Sequence, residues 1–262
     1  MKVAANGINI HVEDQGNGAL PVVFLHYWGG SSRTWDGVIA ALPTGYRTIA
    51  PDLRGWGDSD APPAGYALAD FADDAQHMIA AMDLKRFVLV GHSMGGKIAQ
   101  LLASRRPQGL AGLVLVAPSP PGPLALPAEV RAAMEGAYLT RESVGMSIDQ
   151  MLTAKPLSAK HREQVIEDSL RGASQAKLAW PRSTSQEDIT LDAAAIDVPV
   201  MVIAGELDRI DGPAILEAQL LTRVPHAVMH VLPGTGHLSP LESPVEVAGI
   251  LRGFVDGLES AV

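Results

Sequence analysis

The chain contains no cysteine. That excludes disulfides and thiolate metal sites and gives no support to secretion. Basic residues are scarce: 20 Lys and Arg stand against 29 Asp and Glu, a net charge of −9. They form no cluster, so neither nucleic acid nor an anionic membrane is expected as a partner, since both reward a basic face. No apolar run approaches the roughly 20 residues that span a bilayer. Met1–Gly7 turns polar at once, without the apolar run of a signal peptide, and a cytoplasmic location is expected. Nothing calls for a cofactor or a metal, and none is expected. The expected partner is a small molecule, and the sequence carries no signal about assembly.

What the chain does have is length and apolar content, 262 residues at 47% hydrophobic, enough for a large buried core. Ile8, Ile10 and Val12 alternate with polar residues and predict a half-exposed strand near an edge, carrying His11. Pro21–Leu25 is continuously apolar, as a strand buried on both faces requires. Ser31 or Ser32 is positioned to cap a helix bearing Trp35, Val38, Ile39 and Leu42. A short strand over 46–50 follows, then a long helix. Its stripe is Leu68, Phe71, Ala75, Met78, Ile79 and Met82, with Asp70, Asp73, Asp74 and His77 largely off it. Apolar strands recur at 88–90, 113–116 and 198–204, and the last strand spans 228–232. Helices are expected over 213–223 and over 244–258, the latter opened by Ser243-Pro244.

This alternation predicts an α/β fold, a mostly parallel central sheet with helices on both faces. The rhythm breaks at Pro118-Ser119-Pro120-Pro121-Gly122-Pro123, and no strand-like run returns before about residue 190. Segments 127–137, 142–154 and 158–171 read as helices and Trp180–Ser183 as a loop. Residues 119–187 are therefore expected to be a helical cap insertion, with 1–118 and 188–262 forming the core.

One stretch carries chemistry. Val88-Leu89-Val90 runs into Gly91-His92-Ser93-Met94-Gly95, and an amphipathic helix follows. Gly-x-Ser-x-Gly between strand and helix is the form of a nucleophile elbow, a turn so tight that side chains at the two glycines would collide with backbone. Serine at its ordinary pKa needs a base within hydrogen-bond reach and an acid behind that base. Partners are sought just after the strands, because ligands collect at the carboxyl ends of open parallel sheets. Gly205-Glu206-Leu207-Asp208-Arg209-Ile210-Asp211 and Pro233-Gly234-Thr235-Gly236-His237-Leu238 are such loops. Among the acids, Asp208 is preferred: Glu206 is close enough to the strand to point inward, and Asp211 is placed to cap the helix starting at Pro213. Of the eight histidines, His237 stands where a base is needed. The expected catalytic set is Ser93, Asp208 and His237.

An oxyanion hole needs two backbone N–H groups. Met94, following the nucleophile, supplies one, and the loop His26-Tyr27-Trp28-Gly29-Gly30 the other. His26 reads as a structural hydrogen-bonder. Tyr27, Trp28 and Leu238 are expected to line the substrate site. Met134, Met146, Met151, Leu152 and Trp180 suggest an apolar pocket, although such a stripe more often packs as cap interior. Lys97 reads as a solvated helix residue.

Leu25-His26-x-x-Gly29, Asp52-Leu53-Arg54-Gly55-x-Gly57-x-Ser59, the elbow, Gly205-x-x-Asp208 and Gly236-His237 together resemble the α/β-hydrolase family over nearly the whole chain. The resemblance implies Ser93 as nucleophile, His237 as base, Asp208 as orienting acid, and Met94 with Trp28 as oxyanion donors. It departs at Tyr27, where the family usually carries glycine, so the second donor is Trp28 or Tyr27. The Asp52–Ser59 stretch would be a structural turn with Arg54 bracing the loops. A serine at the elbow sets aside the halide-displacing and epoxide-opening branches, which use aspartate there. The expected activity is hydrolysis of carboxylic esters of small or medium apolar substrates through an acyl-enzyme. Lactone or carbon–carbon (diketone) hydrolysis is the alternative, and a ligand-binding protein without turnover the third reading.

Overall fold

The computed structural model describes residues 1–124 and 126–260. Of the ranges expected above, 119–187 and 188–262 include Ala125, Ala261 and Val262, which lie outside the described residues. Eight strands form the sheet: β1 (Lys2–Ala5), β2 (Ile8–Gln15), β3 (Val22–Leu25), β4 (Thr48–Pro51), β5 (Phe87–His92), β6 (Leu110–Val116), β7 (Val200–Gly205) and β8 (Val228–Leu232). Their spatial order is β1-β2-β4-β3-β5-β6-β7-β8. β1–β2 and β2–β4 pair antiparallel, and every later pair is parallel. β1 is a strand the sequence pattern does not reveal, and it makes β2 an interior strand rather than an edge.

The continuous apolar runs follow from burial on both faces. Along β5, Val88 and Val90 face one cluster and Leu89 faces the other. Val88 and Val90 pack with Trp35, with Val38 of helix α1 (Asp36–Ala41), and with Val247, Leu251 and Val255 of the C-terminal helix Pro244–Ser260. Leu89 packs on the opposite side with Phe71 and Met78 of α2 (Leu68–Ala81) and Ile98 and Leu102 of α3 (Met94–Ser104). Fully burying one such aliphatic side chain contributes roughly 1.5–3 kcal/mol. Ser31 caps the short 3-10 turn Ser32–Trp35 that leads into α1.

Between β6 and β7 come α4 (Ala128–Met134), α5 (Arg141–Ser147), α6 (Ala159–Arg171), α7 (Ser174–Arg182) and α8 (Thr190–Ala193). The core then finishes with α9 (Pro213–Leu216), α10 (Ser239–Glu242) and α11 (Pro244–Ser260). Trp180–Ser183, expected as a loop, instead belongs mostly to α7, which accommodates Pro181 one residue from its end. No helix among the described residues is long and apolar enough to cross a membrane.

Two charged residues depart from their expected positions. Asp74 is buried, 2% exposed, and holds the Arg54 guanidinium, whose third contact is the Gly65 carbonyl at 2.5 Å. Arg54 thus does brace the loop after β4, but it does so through a helix residue that the amphipathic stripe assigned to solvent. Lys97 is also buried rather than solvated. Its ammonium donates to the carbonyls of Gly122 at 2.6 Å and Ser185 at 3.4 Å, joining α3 to both ends of the helical segment. Burial lowers its pKa to about 8, opposed by the charges of Asp211, Glu187 and Asp188.

Candidate active site

Sheet order places the site. The chain runs from β3 outward to β4, then crosses back to lay β5 on the other side of β3, which opens a crevice at the carboxyl ends of β3 and β5. Leu25 pairs with Gly91, so the 26–30 loop leaves the sheet beside the elbow. His92 pairs with Val116 and Gly205 with Leu232, so the loops after β5, β6, β7 and β8 end at neighbouring positions.

Ser93 sits at φ +53° and ψ −116°, a conformation that costs a non-glycine residue of order 1–3 kcal/mol. The surrounding backbone enforces it. A Cβ on Gly91 would lie against the Gly95 carbonyl, and one on Gly95 would come within 2.5 Å of the carbonyl oxygens of Leu25 and His26. Ser93 donates its backbone N–H to Val116 at 3.2 Å and accepts from Ser119 N–H at 3.1 Å, which locks the turn.

Ser93 Oγ lies 2.8 Å from His237 Nε2, and His237 Nδ1 lies 2.8 Å from Asp208 Oδ2. The second oxygen of Asp208 accepts the N–H groups of Ile210 at 2.8 Å and Asp211 at 3.2 Å. Asp208 and His237 are both buried. Burial would lift the Asp208 pKa, but His237 and the two N–H groups outweigh it and hold the carboxyl below its ordinary value. Burial likewise disfavours a charged His237, yet the facing Asp208 wins and the pKa is raised. The three residues singled out from the sequence are thereby brought into one hydrogen-bonded chain. Glu206 points outward instead, accepting Gly234 N–H at 2.8 Å.

Three positioning contacts escape sequence reading. His92 donates Nε2–H to the His237 carbonyl at 2.8 Å, so the residue before Ser93 holds the backbone of His237. Burial and the neighbouring His237 push its pKa down to about 3, leaving it neutral. Tyr138 donates its hydroxyl to the Trp28 carbonyl at 3.0 Å, with the two rings 4.2 Å apart. Trp28 is tied again through its indole N–H, which donates to the Lys177 carbonyl at 3.2 Å. Lys177 is the i−4 partner of Pro181, which has no N–H to give, so the helix leaves that carbonyl for Trp28. His26 is a structural hydrogen-bonder: Nδ1 meets the Tyr27 carbonyl at 2.8 Å and Nε2 accepts Leu53 N–H at 2.9 Å.

A cavity of about 400 Å³ opens over Ser93 and His237. Tyr27 and Trp28 line it, and so do Met134, Met146, Met151, Leu152 and Trp180, which are cavity wall rather than only helix interior. Leu238 is not on that wall. It is fully buried and its N–H bonds the Leu152 carbonyl at 2.9 Å, fixing the loop that carries His237. Asp211 does not cap the helix at Pro213, where Gly212 is the cap residue, but faces Ser119 and the cavity. His11, Asp52 and Asp58 bring one ligand atom each within 4.8 Å of one another. Both Asp52 oxygens, however, already accept backbone N–H groups, from Ser32 and Asp58.

An eight-stranded, mostly parallel sheet with a strained serine elbow at its crevice defines an α/β hydrolase fold. Residues 22–250 match the alpha/beta hydrolase family, and the chain belongs to it. It is 32% identical to a non-heme haloperoxidase of Rhodococcus erythropolis, over 89% of this chain and 91% of that protein. It is 34% identical to a non-heme chloroperoxidase of Streptomyces lividans, over 79% and 81%. Among solved structures, an esterase from Exiguobacterium antarcticum superposes with a TM-score of 0.90 at 24% identity, covering 97% of this chain and 98% of that one. At that identity the likeness speaks to the fold alone.

Proposed function

We propose that the protein is a serine hydrolase that cleaves carboxylic esters of small or medium apolar substrates through an acyl-enzyme. The observation that carries this reading is the pair of 2.8 Å hydrogen bonds from Ser93 through His237 to Asp208, opening on a largely apolar cavity. Ser93 Oγ attacks the ester carbonyl as its proton passes to His237 Nε2, and Asp208 holds the imidazolium that forms. The oxyanion takes hydrogen bonds from the backbone N–H of Met94 and from that of Trp28 or Tyr27, none of which has a hydrogen-bond partner among the described residues. Tyr138 and Lys177, by gripping Trp28, keep that loop in place. Collapse expels the alcohol, protonated by His237. Water, deprotonated by the same imidazole, then releases the acid and restores Ser93. Residues 119–187 act as a cap whose helices supply the apolar wall.

The test is hydrolysis of 4-nitrophenyl butyrate by wild type and Ser93→Ala, with fluorophosphonate labelling of Ser93 alongside. Turnover and labelling are expected in the wild type only. Equal rates in both proteins defeat the reading, and absent labelling with bound ester would favour a ligand-binding protein. A second acceptor is favoured by the names of the two curated relatives, a haloperoxidase and a chloroperoxidase. Hydrogen peroxide attacking the acyl-enzyme in place of water would give a peracid, an oxidant for halide. Adding peroxide and bromide to the ester assay reads that branch, and a panel of lactones and diketones reads the others.

A further inference from the structure

The Asp211 side chain has no part in the proposed catalytic chain, yet the residue is only 2% exposed and sits on the cavity wall with Ser93, Ser119 and His237. Its Oδ2 accepts the Ser119 hydroxyl at 3.2 Å, and among the described residues its Oδ1 has no hydrogen-bond partner. That oxygen is open to the cavity and left free for whatever occupies it, whereas an aliphatic side chain would suit a purely apolar cavity better. Short tethers hold Asp211 beside the nucleophile. Its own N–H donates to Asp208 at 3.2 Å, and Ser119 donates its N–H to the Ser93 carbonyl at 3.1 Å.

The charged or titratable groups facing it are His237, Asp208 and, from α3, Lys97. Burial pushes its pKa up to about 7, with the Asp208 charge adding to the rise, while His237, Ser119 and Lys97 oppose it. Near neutrality the group is therefore present both as an acid that donates and as a carboxylate that accepts. A carbonyl oxygen satisfies the first form and a hydroxyl satisfies both.

We propose that Asp211, backed by Ser119, is a specificity-determining residue that hydrogen-bonds a hydroxyl or keto oxygen carried by the substrate close to its scissile acyl bond. The assignment rests on the hydrolase reading above. It refines that reading: the apolar part of the wall takes the hydrocarbon part of the substrate, and this polar position beside Ser93 selects oxygenated esters over plain ones. A site built to hydrogen-bond a substrate oxygen discriminates strongly against the analogue that lacks it, because its own polar group is then stranded.

The experiment compares kcat/KM for two matched pairs in the wild type, Asp211→Leu and Asp211→Asn. One pair is 4-nitrophenyl 3-hydroxybutyrate against 4-nitrophenyl butyrate, with the extra oxygen in the acyl half. The other is 2-hydroxyethyl butyrate against propyl butyrate, with it in the alcohol half. In at least one pair the oxygenated-to-plain ratio is expected to fall about tenfold in Asp211→Leu and to survive within about threefold in Asp211→Asn, which still donates and accepts. The pair that responds shows which half of the substrate Asp211 reads. Unchanged ratios in both pairs for Asp211→Leu overturn the assignment, as does an equal loss in Asp211→Asn. If Asp211→Leu fails to fold, Asp211→Ala takes its place, with the same ratios expected and the same results overturning the assignment. A wild type that labels with fluorophosphonate but turns over none of the four esters defeats the ester reading itself. Activity with unchanged ratios defeats only the role of Asp211.

Discussion

His237 is held by its backbone as well as by its ring, and His92 is the test of how much that matters. Replacing His92 by Phe keeps a ring of similar size beside Tyr27 and Trp35, whose centroids lie 5.1 and 6.1 Å away. It removes the donor that meets the His237 carbonyl at 2.8 Å and leaves that buried oxygen unpaired. Stranding a buried acceptor costs about 1–3 kcal/mol, and in a domain of this size each kcal/mol lowers Tm by about 2–4 °C. Freed of its tether, the imidazole drifts from Ser93, and a displacement of about 1 Å costs on the order of 10²-fold in rate. The loss should fall on kcat, because His92 is not on the cavity wall. His92→Gln places an amide N–H near the lost Nε2–H and should recover most of both losses. The pH profile should not move in His92→Gln, since a histidine pushed down to about 3 is neutral throughout the working range. Thermal melts and steady-state kinetics on 4-nitrophenyl butyrate read all three effects. A His92→Phe protein that melts with the wild type and keeps kcat within twofold refutes the positioning role.

Asp208→Asn removes the charge that outweighs burial at His237, and the amide favours the wrong tautomer, so kcat should drop by roughly 10³–10⁴-fold. The base works only when neutral, so wild-type kcat/KM should be lost as pH falls through a His237 pKa raised above its ordinary value. The residual activity of Asp208→Asn should inflect at lower pH. A flat wild-type profile from pH 5 to 9 would count against His237 as the base. Arg54→Met strands the buried carboxylate of Asp74, and urea denaturation should show a loss of about 3–5 kcal/mol. Adding Asp74→Leu should restore most of that loss. A single variant as stable as wild type would show that the pair does not brace the turn.

Much of the framework is legible in the chain because parallel strands buried on both faces leave uninterrupted apolar runs, and β3, β5, β6 and β7 all do so. The elbow is legible because its turn admits only small residues at 91 and 95, and chain order then points to Asp208 and His237. β1 was hidden because only Val3 and Ala5 of its four residues are buried, too short an alternation to read. Pro181 argued for a loop, and the helix holds because the carbonyl it leaves unpaired finds the Trp28 indole.

Ser93 was marked by its tight turn, and Asp208 and His237 by their places in the loops after the last two strands. Asp74, Lys97, His92, Tyr138 and Asp211 were not, because their roles depend on partners far away in the chain. Lys97 is buried by carbonyls at 122 and 185, Tyr138 reaches Trp28 across 110 residues, and His92 reaches His237 across 145. Side-chain periodicity reports which face of an element is apolar. Whether a polar residue on the other face meets water or another segment is decided only when distant segments close over it.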